Sequence, residues 1–600
     1  MIKEMKMITV LMMFFAVLNS NSFAQMPSLT LQGEWEEIGR AAAKAASVPR
    51  SESMAEVLNQ FISKHIEQLS SFSPISTVAK LYINQTVYRN LKNSLPEEER
   101  DMLAGVNKEW NVPQKGLERA FLTPEAMNSV LLLGSDRHRA LSPLLSCSSF
   151  YAAHERTQSG ERILGRNLDF PGVNSLDYYS SVYYFNRQNA YRILSIAPQG
   201  FPIPGISGMN EKGLVLILHE AYSAQVSKRG RPIFSVNREV LETTSTIEEA
   251  IEVYKKYQYE AGWLVHLSDR DPKTGQARSA IVELGGAGVD VLWGKDSYSV
   301  LTNSYRSSRQ KSFELFIAPG VEIHNHDRLQ RLDQLVTSEK IDLSRAFNIL
   351  SDSYSPYSAS MVDYSVSSIR AIDQVNSMVF LPDQLKVMVS TSADPASNGT
   401  YYEYSFSQMD QKLAPRLVSP QKNDLISESH LKLVQAYLFD FQKADFIRSA
   451  KLEIESDKLA VGCGLSLLAG AAHLRLDEID EAKSSLLRAI SCSSLSPHHQ
   501  ILAHFYLAMT HWGLGDVLLA KEELSLVIQG ESALLNKTGI PGDRTLIKLS
   551  HLLVKRIEKG REISKKEIHQ LARLDIKVMD NLYGWNLSGR DQKPMKRLKK

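Results

Sequence analysis

Apolar positions recur at helical spacing through the first quarter of the chain and then give way to short strand-like blocks. Residues 31–46, 54–69, 96–110 and 123–133 place apolar side chains three and four apart, the period of a helix with one buried face. Ser94-Leu95-Pro96-Glu97 reads as a helix start, with a Ser cap, Glu three residues on and Pro in the first turn. From residue 147 to about 417 the period shortens. Blocks at 181–185, 191–196, 214–218, 262–267, 279–284, 289–293 and 299–302 are rich in β-branched, aromatic or other apolar residues. Most are bounded by Gly, Asn or Asp, which marks strands. Residues 246–257 and 327–336 read as helices. Paired antiparallel strands with helices on their faces predict a layered α+β domain. Beyond the polar stretch 419–424 the pattern is helical again, and residues 471–483 match 509–521 thirty-eight positions later.

Six hundred residues exceed one core and predict about three or four units. A hydrophobic content of 43% with 23% charged residues is that of a globular protein rather than a disordered one. A net charge of +2 lacks the concentrated basic surface that nucleic acid binding needs. The basic tail Lys593 to Lys600 reads as a solvated terminus. At the other end, Lys3 and Lys6 precede the largely apolar run 7–18, and Ser22-Phe23-Ala24 follows. That order predicts a secretory signal over residues 1–24, removed before Gln25, with an uncleaved anchor as the alternative. No later stretch approaches the ~20 apolar residues of a membrane helix, so no integral segment is expected after signal removal. The expected location is exported, periplasmic or extracellular. Three cysteines do not make a disulfide scaffold. Cys463 and Cys492 either bridge in an oxidising compartment or stay as small buried hydrophobes, and Cys147 is the odd thiol.

Cys147 opens the run Cys147-Ser148-Ser149-Phe150, and eighteen residues later begins Gly165-Arg166-Asn167-Leu168-Asp169-Phe170. Phe150 to Ala153 fits a first strand, Thr157 to Glu161 a turn cluster and Arg162 to Gly165 a return strand. Such a hairpin brings a permanent cation and a carboxylate back beside a thiol. The histidines form no evident Cys-His-Asn arrangement.

These segments resemble the N-terminal-nucleophile (Ntn) hydrolases that cleave linear amides: choloylglycine hydrolases, penicillin V acylases and acyltransferase-type C45 peptidases. Further likenesses follow in order: Met209-Asn210-Glu211-Lys212-Gly213-Leu214, Leu301-Thr302-Asn303-Ser304 and Arg328-Leu329-Gln330-Arg331. They span residues 147–335, with weaker continuity to about 417. The resemblance implies a four-layer αββα sandwich and chain cleavage between Ser146 and Cys147. Residues 25–146 then form a helical pro-segment or small subunit, and 147–417 the catalytic domain. It implies Cys147 as nucleophile, with its freed α-amino group as base; that group has an ordinary pKa of about 7.7–8.0. Arg166 would favour the thiolate, Asp169 would orient the α-amino group, and Arg328 would anchor the network. Asn303 serves either the oxyanion or the α-amino group. Choloylglycine hydrolases place an oxyanion-hole Asn after the Asn-Glu-x-Gly-Leu turn, where this chain has Leu218-His219-Glu220. His219 is therefore the oxyanion candidate, alongside a backbone N–H. The departure favours the acyltransferase-type group over bile salt hydrolases.

The matched segments 471–483 and 509–521 share His-x-x-Leu-Asp/Gly, four residues, then Ala-Lys. They resemble tetratricopeptide repeats, whose period is about 34. That implies a helical domain over 425–560, with a helical, basic tail over 561–600, and a surface for a protein or peptide partner. His324-Asn325-His326-Asp327 has metal-like spacing without a further ligand cluster, and Asp269 to Gly275 reads as a hairpin loop. Neither metal nor cofactor is expected. The leading expectation is an exported cysteine amidohydrolase or acyltransferase acting on a small N-acyl amide. The alternatives are an Ntn enzyme acting on lipids, phospholipase B-like or ceramidase-like, and an interaction protein whose Ntn domain is inert.

Overall fold

The computed structural model describes residues 26–47, 88–133, 146–169, 180–227, 230–294, 297–315, 319–356, 360–361, 368–371, 374–391 and 395–419. Further on it describes 428–429, 432–433, 435–436, 446–459, 463–493, 495, 497–538 and 544–572. The expected signal segment and the expected helix over 54–69 lie outside the described residues.

Two sheets form the centre. The first has eight strands: β1 (Ser28–Gln32), β4 (Ser180–Asn186), β5 (Ile193–Pro198), β6 (Ser207–Asn210), β7 (Val215–Ala221), β8 (Gly262–Arg270), β9 (Ala277–Gly285) and β10 (Gly288–Trp293), in that order. The second has seven: β11 (Tyr298–Leu301), β2 (Ser146–Ala152), β3 (Ile163–Asp169), β14 (Gln374–Leu381), β15 (Lys386–Thr391), β16 (Thr400–Ser405) and β17 (Arg416–Ser419). A two-stranded ribbon, β12 (Tyr354–Ser355) with β13 (Ser360–Met361), stands apart. Neighbours in both large sheets run antiparallel, except β1, which lies parallel to β4.

Alternation along each strand makes three apolar layers. Tyr151, Leu164, Val182, Ile217, Phe380 and Val389 meet between the sheets. The other face of the eight-stranded sheet packs against the helices Trp35–Ala45, Glu97–Trp110, Gln114–Phe121, Thr123–Leu133, Ile233–Thr243 and Ile247–Lys255. The outer face of the seven-stranded sheet packs Phe150, Val379 and Met388 against the helices Pro319–Ser338 and Leu343–Leu350. Helix, sheet, sheet and helix thus follow one another, a mixed α+β architecture as expected.

Three local readings need correction. Residues 31–46 do not form one helix. Alternating burial over Ser28–Gln32 makes an edge strand, Gly33 turns the chain at φ +93°, and the helix starts at Trp35. Ser94 is not a cap: it closes the Tyr88–Ser94 helix and donates to Leu91 O (2.9 Å). The next helix begins at Glu97 with three acidic residues in its first turn, which suits the positive end of the helix dipole. Strands β14 to β16 escaped the periodicity because polar residues are buried in them. Ser377 donates to Asn167 Oδ1 (2.7 Å) and accepts from the Tyr401 hydroxyl (2.7 Å).

The C-terminal helices Phe446–Leu459, Cys463–Arg475, Ile479–Ile490, Pro497–Gly513, Val517–Thr538 and Arg544–Glu558 stack in sequence order, and Lys565–Leu571 packs back on them. The 38-residue repetition appears in the backbone. Asp477 (φ +67°) and Gly515 (φ +85°) both take the left-handed conformation. Glu478 N donates to His473 O (2.9 Å) as Asp516 N donates to His511 O (2.8 Å), the same helix-ending turn twice. Cys463 and Cys492 are disulfide-bonded, with Cα atoms 5.8 Å apart, and Cys147 is the free thiol. Among the described residues no helix is long and apolar enough to cross a membrane.

The first helical layer depends on one close crossing. A Cβ on Gly105 would lie 2.0 Å from Glu36 O, so only Gly lets the Trp35–Ala45 and Glu97–Trp110 helices meet. Gly105→Val should force them apart at a cost of roughly 3 kcal/mol or more. The expected result is a lower thermal midpoint and early proteolytic cutting within residues 88–133. Wild-type protease resistance would show that the crossing does not hold this layer.

Candidate active site

The β2–β3 hairpin pairs Ser146 with Asp169, Cys147 with Leu168, Ser148 with Asn167 and Ser149 with Arg166. Because side chains alternate along a strand, Cys147 and Ser149 share with Tyr151 the face toward the other sheet. Ser146 and Ser148 share with Phe150 the face toward the Pro319–Ser338 helix. Phe150 also explains Gly165 opposite it: a Cβ there would stand 2.1 Å from Phe150 Cε1.

Each polar atom of Cys147 is held by a different side chain. Arg166 Nη2 donates to Cys147 Sγ (3.3 Å) and to Leu218 O (2.9 Å), while Nη1 donates to Ser207 Oγ. The Cys147 N–H donates to Asn303 Oδ1 (2.6 Å), and Asn303 Nδ2 donates to Glu220 O (2.9 Å). Arg328 Nη1 donates to Cys147 O (2.5 Å) and Ser148 Oγ (2.8 Å). Its Nη2 donates to Asn303 Oδ1 (3.2 Å) and Asn325 Oδ1 (3.0 Å). Asp169 Oδ2 lies 3.7 Å from Arg328 Nη1 and accepts from Ser146 Oγ (3.4 Å). The structure therefore gathers Cys147, Arg166, Asp169, Asn303 and Arg328. Asn303 presents its oxygen to the Cys147 nitrogen, the geometry of an acceptor there and not of an oxyanion donor.

His219 reaches the same space from β7, between Leu218 and Glu220, whose carbonyls are bound by Arg166 and Asn303. Its Nε2 lies 2.8 Å from Ser149 Oγ, and its buried Nδ1 has no hydrogen-bond partner among the described residues. Ser149 Oγ also meets His266 Nδ1 (2.9 Å), and His266 Nε2 meets Ser299 Oγ (2.7 Å). Burial holds both imidazoles neutral: His219 sits well below the usual range, helped by Arg166, and His266 falls to about 3.

The thiol is under opposed influences. Burial pushes Cys147 up, Arg166 pulls it down, Asp169 raises it and Arg328 lowers it. Burial wins, so Cys147 rests as a protonated thiol.

The remaining motif residues build the frame. Asn167 Nδ2 donates to Leu350 O and Ile369 O (both 2.8 Å), tying β3 to the outer helix layer. Asn210 Oδ1 accepts from the N–H groups of Lys212 (3.1 Å) and Leu214 (3.2 Å), and Nδ2 donates to Thr244 O (2.7 Å). That fixes the β6–β7 turn and so the position of His219. Arg331 pairs with Asp352 (2.7 Å). Sequence reasoning missed His266 and Ser207, which carry no motif, and gave no role to Ser149 although it lies in the Cys147 run. It set His324 aside as a weak metal ligand, yet His324 Nε2 lies 2.8 Å from Ser146 Oγ. Among the described residues no group of three or more His, Cys, Asp or Glu is placed to hold a metal ion.

A buried acidic set adjoins the site. Burial raises Glu125 to about 7, and raises Glu220 and Glu260 to about 8 with help from the Glu125 charge. Glu125 accepts from Ile233 N (2.8 Å) and Glu260 from Gly230 N (3.0 Å).

Two measurable consequences follow. Replacing Arg166 by Leu removes the cation nearest Sγ, so the Cys147 titration, read from thiolate ultraviolet absorbance, should move up by about one pH unit or more. An unmoved midpoint would separate Arg166 from the thiol. For the carboxyls, the folded chain keeps protons that the unfolded chain releases above its ordinary value of 4.5. Stability is therefore greatest below that value and falls as pH rises toward 7–8. The thermal midpoint should be at least about 3 °C higher at pH 5 than at pH 8, and Glu220→Gln should flatten the slope. A midpoint that rises over this range would contradict the assignment.

Residues 156–387 match the family model described as acyl-coenzyme A:6-aminopenicillanic acid acyl-transferase. Among solved structures that resemble the chain is a Caenorhabditis elegans N-acylethanolamine-hydrolyzing acid amidase (NAAA) ortholog, at 17% identity and a TM-score of 0.29. It covers 39% of this chain and 93% of its own. No curated protein matches the chain. The family match, which covers less than half of the chain, supports an Ntn-hydrolase group for the region that carries Arg166, Asp169, Asn303 and Arg328.

Proposed function

We propose that the chain is an exported, self-cleaving cysteine amidohydrolase or acyltransferase that acts on a linear N-acyl amide. One observation carries this reading: the nitrogen, sulfur and carbonyl oxygen of Cys147 are each bound by a different charged or amide side chain inside a buried site. A structural cysteine needs no such setting.

Cleavage between Ser146 and Cys147 turns the Cys147 nitrogen into an α-amine already seated on Asn303 Oδ1. Departure of Ser146 releases Asp169 from the Ser146 hydroxyl and lets it accept from the same amine. The amine takes the thiol proton while Arg166 stabilises the sulfur as its charge grows. Sγ then bonds to the substrate's acyl carbon, the C–N bond breaks, and the proton passes from the α-amine to the leaving amine. Nδ1 of His219, buried and without a hydrogen-bond partner among the described residues, serves the developing oxyanion. The acyl group leaves Cys147 to water or to a second amine, so hydrolysis and transfer share one thioester. The Cys463–Cys492 disulfide supports an oxidising, exported setting. The helical stack, read as tetratricopeptide-like, serves as an accessory surface for a protein or peptide.

Intact-mass analysis tests this first: purified protein should contain a fragment starting at Cys147, and Cys147→Ala should stay uncut. A Cys147→Ala chain that still splits there would implicate an outside protease. In the cleaved enzyme, screened on N-acyl amino acids, penicillin V and acyl homoserine lactones, Asp169→Asn should lower turnover by roughly two orders of magnitude. Near-normal turnover in that variant would remove Asp169 from the chemistry.

A further inference from the structure

Ser146 lies on the amino side of the proposed cleavage point, and its side chain is fixed as firmly as the nucleophile. It is 8% exposed. Its Oγ stands 2.8 Å from His324 Nε2 and 3.4 Å from Asp169 Oδ2. A carboxylate only accepts hydrogen bonds, so the hydroxyl proton turns to Asp169 and His324 donates through its Nε2–H. The His324 ring is 3% exposed, and its one hydrogen bond among the described residues is to Ser146.

The helix supplying His324 also supplies Arg328 one turn later. Arg328 Nε donates to His324 O (3.3 Å), and Nη1 donates to Cys147 O (2.5 Å). A single turn thus grips both residues of the peptide to be cut, His324 by the Ser146 side chain and Arg328 by the Cys147 carbonyl. Arg166 and Asn303 hold Cys147, which stays in the enzyme. His324 holds the residue that leaves.

We propose that His324 is a positioning residue for self-cleavage, holding Ser146 so that its carbonyl carbon faces Cys147 Sγ, and that it takes no part in later turnover. This rests on the self-cleaving reading above. In the first step a bond forms between Sγ and the Ser146 carbonyl carbon, and the bond from that carbon to the Cys147 nitrogen breaks. The thiol proton passes to the departing nitrogen, leaving a thioester and a free α-amine. Water then adds its hydroxyl to the acyl carbon and returns a proton to sulfur. The clamp acts on the first step by orientation, where loosening of about 1 Å costs on the order of 100-fold.

The test is a time course of cleavage of the full chain made by cell-free translation and followed by intact mass. His324→Leu and Ser146→Ala should each slow cleavage roughly 10- to 100-fold, and the double variant should be no slower than the worse single one. His324→Gln, whose amide nitrogen reaches near the place of Nε2, should cleave within about fivefold of wild type. Turnover per cleaved chain should stay within about twofold of wild type in His324→Gln and Ser146→Ala. Wild-type cleavage in Ser146→Ala, multiplicative effects in the double variant, or turnover falling in parallel with cleavage would overturn the proposal. If His324→Leu fails to fold, the Ser146→Ala and His324→Gln results still decide it. A wild-type chain that never splits, or a Cys147→Ala chain that does, would remove the self-cleaving reading and this one together.

Discussion

The site is organised around a guanidinium sealed from water. Arg328 has no exposed surface, and a guanidinium does not give up its proton inside a protein. Its five N–H groups must therefore find acceptors, and the fold brings them from four places: the Cys147 carbonyl and Ser148 on β2, Asn303 after β11, Asn325 and the His324 carbonyl on its own helix, and Asp169 at the end of β3. Leaving a buried charge without its partner costs about 3–5 kcal/mol. The requirement to satisfy one cation thus fixes how the outer helix sits against the hairpin that carries Cys147.

A second buried cation, Arg166, does the same toward the other sheet. It links Cys147 Sγ to Ser207 on β6 and to the Leu218 carbonyl on β7. Cys147 lies between the two guanidinium groups, one reaching out to the helix layer and one reaching in to the facing sheet. Their positive charge offsets part of the rise that burial gives the Cys147 thiol. Burial still prevails and holds the Cys147 thiol above its ordinary value.

The upstream helices and the downstream stack relate differently to this centre. Helices from residues 35–133 share one core with the eight-stranded sheet, and Glu125 in the Thr123–Leu133 helix is electrostatically coupled to Glu220 beside His219. Asn128 in that helix exchanges hydrogen bonds with Ser223 (3.0 and 2.9 Å). Such a segment is part of the folded body. The C-terminal helices bury a core largely of their own, which among the described residues Ala371 alone joins from the sandwich side, in keeping with a module that stacks on itself.

Periodicity alone determined the broad plan: helices first, an α+β layered centre, helices last, and a repeat whose turns coincide at Asp477 and Gly515. Motif spacing also placed Cys147, Arg166 and Asp169 on one hairpin, because a short antiparallel pair leaves few ways to align eighteen residues. Asn303 and Arg328 were legible only through resemblance, since nothing local to a strand end or a helix turn marks a partner more than 150 residues away. Strands β14 to β16 were hidden by buried polar residues such as Asn376, Ser377 and Ser390 that break the apolar alternation. Only the tertiary structure decided which way Asn303 faces, that Cys463 meets Cys492, and that His219 and His266 share Ser149. It also moved His324 from metal-like spacing to the Ser146 hydroxyl. Sequence fixes which groups can donate or accept; which donor meets which acceptor is settled when two sheets and a helix bury them together and water is no longer there to satisfy them.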